Sequence, residues 1–166
     1  MRRLAVVAVG IVLSHASDVD AQPAAELALD VARVCYLEAS FREADCITIF
    51  HVARKRAAAE RGIGLETVTV VEVVAMLVNY SAINARNPRA EEVREYANED
   101  VASKGRKWNT RWARLRTLSF ELCEGRHPDP CPAARHWGGT MDPPRGGMIP
   151  ARCAAATANT FYAVRR

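Results

Sequence analysis

The sequence predicts a mainly α-helical domain that ends in an irregular Pro/Gly-rich loop region. Two observations carry this. Apolar residues recur at helical spacing in successive segments up to about Gly125. Beyond Arg126 the composition changes: six of the eight prolines and four of the nine glycines fall between Pro128 and Pro150, which favours turns and loops over helix.

The N-terminus has the layout of a secretory signal peptide. Arg2 and Arg3 form a positive start, Leu4 to Leu13 run without a charge, and Val19 and Ala21 stand at the −3 and −1 positions of a cut after Ala21. The apolar run is far short of the roughly 20 residues of a permanent span. Residues 1–21 are therefore expected to be removed, leaving residues 22–166 as one exported domain with no membrane span. The net charge of +4 is modest, and both signs are mixed along the chain. No Lys/Arg run marks a nucleic-acid surface.

A first helix is expected from about Pro23 to Ala39, with Leu27, Val31, Val34, Cys35 and Leu37 as its apolar positions. A second, from about Ala44 to Arg61, repeats Ile47, Phe50, Ala53 and Ala57 and stops at Gly62 and Gly64. Thr69 to Tyr80 is rich in valine, which suits a strand, but the spacing Val70-Val73-Val74-Leu77 favours a helix. Asn84 to Pro88 reads as a loop, followed by a polar stretch to Lys107. Arg111 to Glu124 repeats Trp112, Leu115, Leu118 and Leu122, with Asn109 or Thr110 as N-cap and Gly125 at C′. Thr160 to Val164 reads as a short strand or a docked terminus.

The five cysteines, in an exported chain, point to disulfides. Cys131 and Cys153 flank the Gly/Pro-rich tail and are the candidate pair. On one continuous helix, Cys35 and Cys46 would lie about three turns apart, too far to bridge. Cys123 then pairs with either, leaving one thiol over. His127, Cys131, His136 and Cys153 do not have the spacing of close zinc ligands, and no metal or other cofactor is expected. Nucleophile elbows, phosphate loops and dinucleotide fingerprints are lacking from the sequence.

Glu38, at the end of an apolar helical run, is the first candidate for acid/base chemistry, since apolar surroundings favour the protonated carboxyl. Glu43 is a candidate second carboxylate. Asp45 has a simpler role as N-cap of the second helix. Of the aromatic residues, Trp112 reads as core, and Trp137, in a Gly-rich loop, as a groove residue. Trp108, Tyr80 and Tyr162 are further candidates for lining a sugar groove.

Taken in order, Tyr36-Leu37-Glu38-Ala39, Asp45 to Arg56, Val70 to Ser81, Gly125 to Trp137 and Ala158-Asn159-Thr160-Phe161-Tyr162 resemble the segments of the SleB-type cell wall hydrolases, the family of the spore-cortex-lytic enzymes. The resemblance implies a lysozyme-like fold and cleavage of peptidoglycan glycan strands by a muramidase or lytic transglycosylase. It puts the acid/base residue at Glu38, and Ser81, His136 and Tyr162 along the groove. The partner of the chain would be the peptidoglycan glycan; with the signal peptide and the charge pattern, the expected protein is a secreted or periplasmic monomer that binds no nucleic acid. The chain departs from the pattern at Ser40-Phe41-Arg42, where the family has Arg-Gly before its second Glu. It departs again at Lys55, which replaces an Asn, and at Cys131-Pro132-Ala133. These departures leave room for an inactive peptidoglycan-binding module, or a secreted structural or inhibitory module, of the same fold.

Overall fold

The computed structural model describes residues 18–81, 83, 90, 91, 93, 105–138, 146–154 and 157–165, with side chains from residue 24 onward. The apolar run Leu4–Leu13, read as part of a signal peptide, and the Asn84–Pro88 segment, read as a loop, lie outside the described residues. Within them the protein is mainly helical, as its periodicity predicts: α1 Asp18–Ala39, α2 Glu43–Arg61, α3 Val70–Tyr80 and α4 Arg106–Cys123. A short 3₁₀ turn, Leu65–Thr67, links α2 to α3. Helix α1 lies against α2, α3 and α4, and α2 packs on α3. The core between them is built from Val31, Val34, Ile49, Val52, Val73, Leu77, Leu115 and Leu118, all buried.

Local chemistry explains the boundaries. Ser40 adopts a left-handed backbone (φ 57°), which ends α1 and turns the chain back within three residues. Gly62 does the same for α2, at φ 63°. The valine-rich segment is helical because Thr69 and Glu72 form a reciprocal capping box: Glu72 Oε2 accepts the Thr69 amide at 2.8 Å, and the Thr69 hydroxyl accepts the Glu72 amide. Helix α4 begins at Arg106 after Gly105, earlier than its apolar repeat indicates, so Asn109 and Thr110 are inside the helix rather than its N-cap. Thr110 Oγ1 instead donates to the Arg106 carbonyl. Its C-terminal end matches expectation: Gly125 (φ 72°) donates to the Leu122 carbonyl and Arg126 to that of Glu121, a Schellman closure.

The turn at Ser40–Arg42 also changes the cysteine arithmetic. Cys35 and Cys46 are on two successive helices, α1 and α2, not on one, and they form a disulfide with Cα atoms 5.0 Å apart. Cys131 and Cys153 pair as expected. Cys123 bonds to neither helical cysteine and is a free thiol, pushed up to about 11 by burial. Two disulfides fit an oxidising compartment. No helix among the described residues is long and apolar enough to cross a membrane.

The Pro/Gly-rich part carries two short strands, β1 His136–Gly138 and β2 Met148–Pro150. Both pair antiparallel with β3 Thr160–Val164 in the order β1-β3-β2. The register sets His136 opposite Tyr162, Trp137 opposite Phe161, and Pro150 opposite Tyr162 on the other edge. Phe161 is buried in the helical core and so pins the sheet to the bundle.

Candidate functional site

Glu38 sits in the last turn of α1, half-buried. Two of its contacts tie it to the sheet. The Trp137 indole N–H, from β1, donates to Glu38 Oε2 at 3.4 Å. The Asn159 side-chain amide, just before β3, donates to the Glu38 backbone carbonyl at 2.9 Å. That carbonyl is one of the four that a helix end leaves without an internal partner. The sheet therefore closes over the end of α1 at this residue.

Asp45 explains how the sheet is held there. It is not the N-cap of α2. The helix starts two residues earlier, after Arg42, which supplies no capping side chain. Asp45 is only 1% exposed, and its carboxylate accepts the backbone amides of Ala158 (3.1 Å to each oxygen) and Asn159 (3.2 Å). One buried carboxylate thus ties the segment leading into β3 to α2, and the side chain of that segment's Asn159 braces Glu38.

The other end of the sheet is anchored by Lys55, 6% exposed on α2. Its ammonium donates to Asp129 Oδ2 (2.8 Å) and to the carbonyls of Cys131 (2.9 Å) and Pro132 (3.3 Å). Desolvation pulls the Lys55 ammonium below its ordinary value, and the Asp129 hydrogen bond and charge oppose that shift. One turn earlier, His51 Nε2 donates to the His127 carbonyl at 2.9 Å. Burial likewise pulls its imidazole down. The loop before β1 is thereby fastened to α2 by two side chains that bond four of its residues, and that loop leads into the strand that carries Trp137.

Arg56 continues the arrangement outward. Its guanidinium lies over the Tyr80 ring, 3.5 Å from the centroid, and 5.9 Å from the Trp137 ring centre. The Tyr80 hydroxyl donates to Glu60 Oε1 at 2.7 Å. Glu38, Trp137, Arg56 and Tyr80 form a row in which flat apolar faces alternate with polar groups. Rings of this kind offer stacking surfaces to sugar faces, and the polar groups beside them offer partners for hydroxyls.

The remaining candidates divide clearly. Trp137 joins Glu38 directly. Its neighbour His136 is half-buried on β1, beside Tyr162, which is buried on β3. Ser81 follows Tyr80 at the end of α3. Among the described residues its hydroxyl bonds within its own turn, to the Val78 carbonyl and from the Ile83 amide. Glu43 is ion-paired with Arg114 of α4 and borders a separate cavity of about 350 Å³ with Phe41 and Arg111. Glu38 does not line that cavity. Trp112 is core, as expected, and Trp108 stacks on it at 5.6 Å within a cluster that includes Tyr36 and Phe41. Cys131 and Cys153 are bonded to one another and so cannot serve as thiolate ligands.

From sequence, Asp45 reads as an N-cap, Lys55 only as a departure from a family pattern, and Arg56 has no role of its own. A signal was present for the first two. Asp45-Ile49-Val52 and Thr48-Val52-Lys55 repeat at helical spacing on the buried side of α2, and a charged residue on such a face requires a specific partner. No protein-family model, curated protein or solved structure matches the chain.

Proposed function

We propose that the chain is an exported enzyme, secreted or periplasmic, that cleaves the glycan strands of peptidoglycan with Glu38 as general acid/base. One observation carries the reading: segments distant in sequence converge on a single acidic residue. Trp137 contacts its oxygen, Asn159 holds its backbone, and Asp45 secures Asn159. These residues belong to the same segments on which the resemblance to SleB-type hydrolases rests.

In this reading the protonated Glu38 delivers its proton to the leaving glycosidic oxygen. The resulting carboxylate, next to the Trp137 N–H, then takes a proton from the attacking hydroxyl. That hydroxyl is either water, giving a reducing end, or the sugar's own 6-hydroxyl, giving an anhydro product. The second route needs one carboxylate rather than the usual pair. In this reading the row Trp137–Arg56–Tyr80 offers the sugars a surface that starts beside Glu38.

The test is digestion of purified sacculi by wild type and Glu38→Gln, with mass analysis of the released muropeptides. The substitution should lower release by roughly 10²- to 10⁴-fold, the usual contribution of a general acid/base, and leave the unfolding midpoint unchanged. Wild-type protein that binds sacculi and releases nothing would overturn the enzyme reading in favour of a binding module.

A further inference from the structure

Beyond Trp137 lies a cavity of about 410 Å³ that proton transfer at Glu38 does not use. Lys55, Arg56, Glu60, Arg135 and His136 are among its lining residues. The charges in it do not cancel. Lys55 is paired with Asp129 and with two carbonyls. The Glu60 carboxylate accepts the Tyr80 hydroxyl. Arg135 spends one nitrogen on the carbonyls of Pro132 and Ala134 (2.6 and 2.9 Å). The Arg56 guanidinium carbon lies 3.5 Å over the centre of the Tyr80 ring, and a guanidinium seated over a ring face keeps N–H groups at its rim to donate elsewhere. Among the described residues neither Arg56 nor Arg135 has a carboxylate partner. Two guanidiniums therefore face one cavity beside a single acid.

We infer that this cavity receives a carboxylate of the peptide stem that branches from the muramic acid next to the cleaved bond, with Arg56 and Arg135 as its donors. The inference rests on the glycan-strand reading of Glu38 and names the substituent recognised beside it. A guanidinium fork matches a carboxylate in shape and charge. The position fits as well: Trp137 touches Glu38 on one side and lies 5.9 Å from the Arg56 guanidinium on the other, so one indole ring separates the acid/base carboxylate from the cavity.

The experiment measures binding alone, by calorimetry on Glu38→Gln protein, so that it does not depend on cleavage. The probes are a soluble disaccharide-tripeptide with free stem carboxylates and the same molecule with those carboxylates amidated. The free acid should bind about tenfold more tightly, the worth of one charge-assisted contact. Arg56→Gln should erase the difference, and Arg56→Lys, which keeps charge without the fork, should restore part of it. Because Arg135 also braces the Pro132 turn, Arg135→Gln is interpreted only alongside its unfolding curve, and Arg56 carries the decision. Equal affinity for the two probes, no binding of either, a preference that survives in Arg56→Gln, or competition by inorganic phosphate as strong as by the acidic probe each overturns the assignment. If wild type cuts no sacculi while the arginine-dependent preference holds, Glu38 chemistry has failed and the carboxylate cavity has not.

Discussion

Replacing Asp45 by alanine separates two physical roles by magnitude alone. Were Asp45 a helix N-cap, its loss would cost about 1 kcal/mol. In the structure it is instead a buried carboxylate that accepts two backbone amides from a segment 113 and 114 residues away. Hydrogen bonds to a charged group contribute roughly 1.5–3 kcal/mol each. Ala158 and Asn159 are half-buried, so water reaches their amides once the carboxylate is gone and the lower part of that range applies. The expected loss is therefore about 3–4 kcal/mol, which lowers the melting temperature by about 10 °C in a chain of this size. Urea unfolding measures the free energy, and hydrogen exchange at the Ala158 and Asn159 amides measures the tether itself. Both amides should exchange much faster in Asp45→Ala. Arg42→Ala, at the true N-cap position, should change stability by less than about 0.5 kcal/mol. A loss of 1 kcal/mol or less for Asp45→Ala, with unchanged exchange at the two amides, would refute the tether.

Two further perturbations test how the loop before β1 is fastened. Lys55→Met leaves Asp129 without its cation and the Cys131 carbonyl without a donor. The ammonium's own desolvation offsets part of what it contributes, so the expected loss is about 3 kcal/mol, read from urea midpoints, and a midpoint equal to wild type would contradict the anchor. For His51, burial depresses the folded value below the ordinary 6.5, so the folded state binds fewer protons than the unfolded one. Its contribution is complete above about pH 6.5 and is lost as pH falls through the depressed value. Stability relative to His51→Gln should thus decline on acidification from pH 7.5 to 5, and a difference that stays flat over that range would show that the imidazole does not titrate with folding.

The helices were legible because each carries its own instructions. The apolar spacing of α1, α2 and α4, the Thr69/Glu72 box of α3 and the left-handed glycines at 62 and 125 act within one or two turns, and local signals survive in a linear text. The same holds for Glu38 as a candidate, since an acid at the end of an apolar run stands out without reference to anything distant. The disulfide pairing was legible only in part. Cys131–Cys153 follows from flanking a loop, but Cys35–Cys46 depends on a three-residue reversal at Ser40, a residue that rarely takes a left-handed backbone.

The surroundings of Glu38 were decided by tertiary structure. Trp137, Asn159 and Asp45 meet because the sheet folds back over α1 and α2 across about a hundred residues of chain, and nothing local to any of them announces the meeting. A carboxylate at a helix start reads as a cap until its buried partners are known. A lysine near a helix C-terminus reads as solvated until a distant loop supplies its acceptors. What the sequence alone determined is which segments are helical and which acid is poised at a helix end. Which groups face that acid is set by long-range packing, because hydrogen bonds between distant segments form only once the core has brought their backbones together.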